Sequence, residues 1–186
     1  MEATELLLGR RSIGKLGEPA PEGEALDRIL QVALRAPDHG ALRPWTVLLV
    51  RGEARERFGA LMVEALRRRK PDVDEDELAR EKKKSLRAPL LAIVVASVRP
   101  SAKIPDIEQV LSAGCVAYGL EIAAQAEGFG AVWKTGAPAY DRWLHERLGL
   151  AEQDRIVGIL YVGTPLENPP DVPRPRIEDH VREWTG

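Results

Sequence analysis

Residues 107–127 form the segment that most restricts how this chain can fold. Apolar residues recur on nearly every face of a helix there, so the pattern predicts a long helix that is buried on most of its surface. Its first half contains the small residues Ser112, Ala113, Gly114 and Cys115, which permit close packing. A small single chain covers so much apolar surface with difficulty, and the segment therefore indicates a homodimer.

The other patterns place this helix in an α+β domain. Strands are predicted at 45–50, 90–96, 131–134 and 156–162, where apolar and β-branched residues run together. Helices are predicted at 3–10, 26–34, 58–66, 75–87, 107–127 and 141–148, and residues 13–23 are predicted to be a loop because glycine and proline interrupt them. Strands and helices do not alternate strictly, which favours a central mixed or antiparallel sheet sandwiched by helices.

Length and composition limit the classes of function. A chain of 186 residues fits a single domain over 1–186, with 166–186 as a proline-rich C-terminal extension. The net charge of −2 does not favour nucleic-acid binding, and the basic run at 80–84 follows an acidic run, as on a solvated helix. No apolar run suits a signal peptide or a membrane span, so we expect a cytoplasmic protein that does not bind membranes.

Metal binding and side-chain catalysis have no support in the sequence. His145 and His180 are isolated, and a single cysteine cannot form a cysteine-based zinc cluster, so we expect no metal. Cys115 lies within the apolar helix, where it is expected to be a small core residue. The motifs of phosphate loops, zinc peptidases and serine hydrolases are absent.

Arg10, Arg11 and Ser12 follow the first predicted helix. Two guanidinium groups beside a hydroxyl suit a phosphate, because arginine presents its donors in a fixed fork. The same residues suit a solvated basic helix end, where cations meet the negative end of the helix dipole. The segment taken alone leaves both interpretations open, and the helix end is the more common of the two.

Two later segments can likewise be interpreted either as parts of a binding site or as ordinary structural segments. Residues 35–39 join a helix to a strand through a loop, and His39 there suits either a ligand or solvent. In 128–136 the glycines permit backbone to approach a flat ring or a phosphate, and Lys134 and Thr135 suit an anion. A helix C-cap explains Gly128 without any ligand, although it does not explain Gly136.

Six motifs, in order and with similar spacing, resemble the nitroreductase family, and specifically its compact single-domain branch. They are Leu-Leu-x-x-Arg-Arg-Ser at 6–12, Arg-Ala-Pro-Asp-His at 35–39, Arg-Pro-Trp at 43–45, Ser-Ala-Gly-Cys at 112–115, Gly-Phe-Gly-Ala-Val-Trp-Lys-Thr-Gly at 128–136 and Ile-Val-Gly-Ile-Leu-Tyr-Val-Gly-Thr-Pro at 156–165. The resemblance covers nearly all of residues 1–165.

The resemblance implies an α+β flavoenzyme with FMN bound at the interface of a homodimer. It implies that FMN contacts Arg10, Arg11, Ser12, Trp133, Lys134 and Thr135 of one subunit, and Arg35 and His39 of the other. It also implies that NAD(P)H contacts Ala123, Ala124, Gln125, Ala126, Glu127 and Gly128. The position of Lys134 often holds arginine in this branch, so the charge is kept while the bidentate fork is lost. The role of Arg174 and Arg176 in the extension stays open.

The implied function is a ping-pong transfer of hydride from NAD(P)H through FMN to an electron-poor acceptor such as a nitroaromatic compound or a quinone. Because the flavin carries the chemistry, no catalytic side chain is expected. A non-catalytic protein that binds or sequesters flavin is an alternative from a different class. A dimeric interaction module with a basic surface is a third.

Overall fold

The computed structural model describes residues 2–101, 103–169 and 173–186. The helices are α1 (Ala3–Gly9), α2 (Gly23–Ala33), α3 (Ala54–Arg69), α4 (Glu75–Lys84), α5 (Asp106–Ala126) and α6 (Arg142–Arg147). The strands are β1 (Leu16–Gly17), β2 (Trp45–Arg51), β3 (Leu90–Ala96), β4 (Gly130–Lys134) and β5 (Arg155–Pro165). Within these residues, no helix has the length and apolar character needed to cross a membrane.

The strands form one sheet in the order β1-β5-β3-β2, and β4 also pairs with β5. Every residue of β3 is buried, because β2 and β5 flank it and helices cover both faces of the sheet. Leu120 of α5 packs against Leu160 on one face, while Met62 of α3 packs in a cluster with Ile93 and Ile159 on the other. The predicted α+β fold with a helix-covered central sheet is confirmed, and every pairing in the sheet is antiparallel.

The predicted helices and strands are present, with their ends moved by a few residues. The exception is β1, which lies in the stretch predicted to be a loop and pairs with the end of β5. A strand of two residues has no alternation of apolar and polar positions by which a sequence could reveal it. The helix predicted over 75–87 ends at Lys84, where the hydroxyl of Ser85 donates to the carbonyl of Lys82.

α5 is long and central, as predicted, but one chain does not bury it on all faces. Val116, Leu120 and Ala124 are buried, because the sheet covers one face of the helix and α2 packs against another. A row of side chains that we call the α5 stripe is exposed; it consists of Ile107, Leu111, Cys115 and Tyr118. The prediction of a helix buried on nearly every face is therefore wrong for the single chain.

α6 contains a buried histidine whose protonated form is disfavoured by the fold. His145 is 2% exposed. Its Nε2 donates to the carbonyl of Ala139 at 2.9 Å, and its Nδ1 accepts from Nη1 of Arg142 at 3.1 Å. Burial, assisted by the positive charge of Arg142, lowers the pKa of His145 below its ordinary value.

This environment predicts a loss of stability in mild acid. The unfolded chain binds a proton at His145 more readily than the folded chain does. The contribution of neutral His145 to the free energy of unfolding is therefore complete above about pH 6.5 and decreases as the pH falls below that value. Urea unfolding at a series of pH values should show a smaller acid-dependent loss for His145→Gln than for the unchanged protein. His180→Gln, at an exposed position, is the matched control. Identical pH dependence in all three proteins would show that His145 is not held neutral.

Candidate functional site

The segment that follows α1 lies beside β4. The backbone N–H of Ile13 donates to the carbonyl of Ala131 at 2.8 Å, which fixes this segment to the strand. Nη1 of Arg10 lies 3.4 Å from Oγ of Ser12, so the two side chains point to the same region. The fold therefore brings residues 10–13 next to β4, which lies about 120 residues later in the sequence. An FMN that contacts both segments would require them to be close together.

Arg10, Arg11 and Ser12 line one pocket, which we call the phosphate pocket. Its other lining residues are Leu7, Leu8, Pro173, Arg174 and Pro175. Nη1 of Arg11 also donates a hydrogen bond of 3.3 Å to the carbonyl of Pro169, at the start of the C-terminal extension. Arg174 is thus a third cation at this pocket, and the sequence could not place it because a proline-rich segment has no periodicity to follow.

Glu121 of α5 lies behind Arg10. Its Oε2 is 3.2 Å from Nη1 of Arg10, and its side chain is 5% exposed. Oε1 is buried and has no hydrogen-bond partner in the described part of the chain. Burial raises the pKa of the Glu121 carboxyl, while the charge of Arg10 opposes that rise. No sequence motif indicated this residue, because it stands in an apolar helical pattern.

Trp133 is fixed at the far end of β4. Its indole Nε1 donates to the carbonyl of Val157 at 3.0 Å, and the ring lies against Gly158, where there is no room for a Cβ. The paired strand residues Trp133 and Leu160 share the sheet face toward α5. Lys134 is paired with Ile159, so its side chain leaves the strand on the opposite face. The side chains of Trp133 and Lys134 therefore leave the strand on opposite faces of the sheet.

Residues 133–135 line a second pocket, which we call the ring pocket. Its other lining residues are Met62, Lys84, Arg87, Gly136, Pro138, Ile159 and Tyr161. Lys84 binds Oε2 of Glu81 at 2.5 Å, and Oε1 of that carboxylate is buried without a partner among the described residues. The pocket thus combines apolar residues with three cations, which are Lys84, Arg87 and Lys134, and stands beside an incompletely paired carboxylate. Lys84 and Arg87 were missed because they belong to a charged stretch typical of a solvated helix.

Arg35 and His39 lie at neither of these pockets within one chain. Arg35 is exposed and lines a separate pocket with Asp38, Arg43 and Trp45. His39 is also exposed, and its Nδ1 is 2.7 Å from Oε2 of Glu108 near the start of α5. A single chain therefore does not unite all of the predicted FMN contacts.

The segment predicted to contact NAD(P)H is only partly accessible. Ala123 and Ala124 are buried against the sheet, so their side chains offer no surface to a dinucleotide. Gln125 and Gly128 line a pocket that also includes Arg11. Glu127 binds Arg28 through both carboxylate oxygens, at 3.0 and 2.8 Å. The predicted contact is therefore restricted to the turn at 125–128, because the helix turns its preceding residues inward.

The close packing of Trp133 on Gly158 gives a direct test of this strand end. Gly158→Ala places a Cβ into the indole ring, so we expect the free energy of unfolding to fall by about 1–3 kcal/mol in chemical denaturation. Gly14→Ala is the matched control, because Gly14 has open space around its Cβ position and no positive φ. We expect that variant to stay within about 0.5 kcal/mol of the unchanged protein. Equal stability of the two variants would contradict the packing described for Trp133.

Comparisons with known proteins agree on one family. A family model described as "Nitroreductase family" matches residues 7–164. The chain is 42% identical over 165 residues to the Escherichia coli K12 protein named "Putative NAD(P)H nitroreductase YdjA", and the match covers 89% of each chain.

Solved structures share the fold over nearly the whole chain. A nitroreductase-like family protein from Bacillus cereus has a TM-score of 0.85 and 25% identity, covering 100% of this chain and 97% of its own. A nitroreductase with bound FMN from Bacteroides fragilis has a TM-score of 0.72 and 18% identity, covering 99% of both chains, and this likeness concerns the fold alone.

Proposed function

The chain belongs to the nitroreductase family, and we propose that it is a cytoplasmic, homodimeric FMN-dependent oxidoreductase. In this proposal it passes hydride from NAD(P)H through FMN to an electron-poor acceptor such as a nitroaromatic compound or a quinone. FMN supplies the redox chemistry, and the protein supplies binding, orientation and electrostatics. One observation carries the proposal. The phosphate pocket lies on the segment after α1, the ring pocket lies at the end of β4, and the backbone hydrogen bond from Ile13 to Ala131 joins these two segments.

The phosphate pocket suits the phosphate end of FMN. Arg10 and Arg11 offer guanidinium donors, Ser12 offers a hydroxyl, and Arg174 adds a third cation from the extension. Charge-assisted hydrogen bonds of this type are about twice as strong as neutral ones. In this proposal the C-terminal extension therefore helps to bind the phosphate.

The ring pocket suits the flavin ring. Met62 and Ile159, which are almost fully buried, form the apolar base of the pocket, while Lys84 and Arg87 can donate to carbonyl oxygens. Oε1 of Glu81, beside Lys84, has no partner among the described residues, and an N–H donor from a ligand would remove the cost of burying it unpaired. A flavin carries both carbonyl oxygens and an N–H on its pyrimidine edge. The lining chemistry of this pocket therefore suits the pyrimidine edge of a flavin.

A second copy of the chain completes the site in this proposal. The α5 stripe and the neighbouring exposed leucines Leu7, Leu8 and Leu34 are apolar surface that a partner subunit would bury. Arg35 and His39, which lie away from both pockets in their own chain, would then reach the FMN of the partner. The turn at 125–128 beside Arg11 is the proposed contact for NAD(P)H.

The visible spectrum of the purified protein tests the proposed function. We expect a yellow protein, or one that becomes yellow with added FMN, because the two pockets bind the flavin tightly. Anaerobic addition of NADH or NADPH should bleach the flavin band. A band that persists with both nucleotides favours the alternative of a flavin-binding protein without turnover, and a protein that stays colourless with added FMN rules out both.

Two arginine variants make this test specific to the phosphate pocket. Arg10→Ala should weaken FMN binding by roughly ten- to a hundredfold, since it removes charge-assisted hydrogen bonds worth about 1.5–3 kcal/mol. Arg57→Ala is the matched control, because the side chain of Arg57 is 71% exposed on α3 and its ion pair among the described residues is with Glu53 at the same helix end. Riboflavin, which lacks the phosphate, should bind the unchanged protein and Arg10→Ala with equal affinity. Equal FMN affinity in the two arginine variants would count against the assigned phosphate pocket.

A further inference from the structure

Glu121 is a buried carboxylate in a helix that is otherwise mainly apolar. Its one ion pair is the contact of 3.2 Å from Oε2 to Nη1 of Arg10, and Oε1 has no partner in the part of the chain that the structure describes. An apolar side chain of similar size would fill this position without the free-energy cost of burying a charge. Packing alone therefore does not account for a carboxylate here.

Arg10 stands between Glu121 and the phosphate pocket. Arg10 has a side chain that is 34% exposed and lines the pocket, whereas Glu121 is 5% exposed and does not. The same Nη1 that binds Glu121 also lies 3.4 Å from Oγ of Ser12 at the pocket wall. A phosphate in the pocket would thus compete with Glu121 for the guanidinium of Arg10, in a partly buried place.

We propose that Glu121 is a built-in counter-anion, which holds Arg10 in position before a flavin phosphate binds and takes up one proton from solvent when it binds. The inference rests on the proposed function of this pocket. Arg10 keeps its charge throughout and exchanges its carboxylate partner for the phosphate. The proton neutralises the carboxylate that has lost its partner. Glu121 is therefore a positioning residue, and it makes the affinity for FMN depend on pH.

Among the described residues, Arg10 is the charged group that forms an ion pair with Glu121, whereas Arg11 and Arg174 line the pocket in front of it. On α1, Glu5 is exposed, and the strands beneath α5 present apolar residues to the helix. On α2, Arg28 is engaged by Glu127 at the C-terminal end of α5. When Arg10 turns to the phosphate, burial is the influence that remains, and burial favours the neutral carboxyl.

Isothermal titration of FMN into the protein, in buffers of different ionisation enthalpy at near-neutral pH, measures the protons taken up on binding. We expect the unchanged protein to take up close to one proton more per site than Glu121→Gln, because glutamine keeps the shape of the side chain and cannot titrate. Glu53→Gln, at an exposed position that is 95% accessible, should match the unchanged protein. With rising pH, the FMN affinity of the unchanged protein should fall relative to that of Glu121→Gln by up to about tenfold per pH unit.

The titration also separates this inference from the proposed function. Equal proton uptake and equal pH dependence in the unchanged protein and Glu121→Gln, with FMN bound and reduced normally, would overturn the role of Glu121 alone. A protein that does not bind FMN at any pH would instead overturn the proposed function. Riboflavin is the ligand control, because without a phosphate it should bind with the same proton uptake in both proteins.

NMR of the unchanged protein tests the same proposal even if the Glu121→Gln variant does not fold. Carbon-13 NMR of protein labelled at the glutamate side-chain carboxyl should show one resonance that moves to the position of a protonated carboxyl when FMN is added. Addition of riboflavin should leave that resonance in place. A spectrum in which all glutamate resonances stay at carboxylate positions after FMN binds contradicts the proposal.

Discussion

The apolar helix α5 has to be covered on all sides, and several parts of the candidate site are attached to the elements that cover it. The sheet covers one face of the helix and α2 another. Glu121 in the C-terminal half of α5 binds Arg10, and Glu108 near the start of the helix binds His39. The ring of Trp133 approaches the small residue Gly114. The helix thus sets the positions of three separate segments that contribute to the site.

The same constraint connects the fold to the proposed assembly. One chain leaves the α5 stripe exposed, and it also leaves Arg35 and His39 away from both pockets. A second copy would cover the apolar surface and bring these two side chains to a flavin, so that burial of the helix and completion of the site are one event. In this account, the burial of apolar surface that would stabilise the dimer would also place Arg35 and His39 beside the flavin of the other subunit.

Much of this arrangement could be predicted from the sequence, because apolar periodicity is a local property. The bounds of β3 and the near-continuous helix at 107–127 follow directly from runs of apolar residues. The family resemblance supplied the segments 10–12 and 133–135. What could not be predicted depends on contacts between distant parts of the chain: β1 exists only through its pairing with β5, and Arg174 reaches the phosphate pocket through an irregular tail.

Individual side chains in regular patterns were the hardest to assign. Glu81 and Lys84 occur in a charged helix that suits solvent, yet Glu81 is buried and Lys84 lines the ring pocket. Ala123 and Ala124 match a family segment, although the helix turns them into the core. A pattern identifies the element, and only the packing of that element shows which of its residues reach a ligand.

Mixed dimers test most directly the claim that one flavin site is built from two chains. One chain would carry Arg10→Ala with Ser12→Ala, the other Arg35→Ala with His39→Ala, and different affinity tags would isolate the mixed species after coexpression. Each variant homodimer should lack FMN, while the mixed dimer should bind about one FMN, because one of its two sites then has both halves intact. A mixed dimer as empty as its parents, or a variant homodimer that retains FMN, would contradict a site shared between subunits.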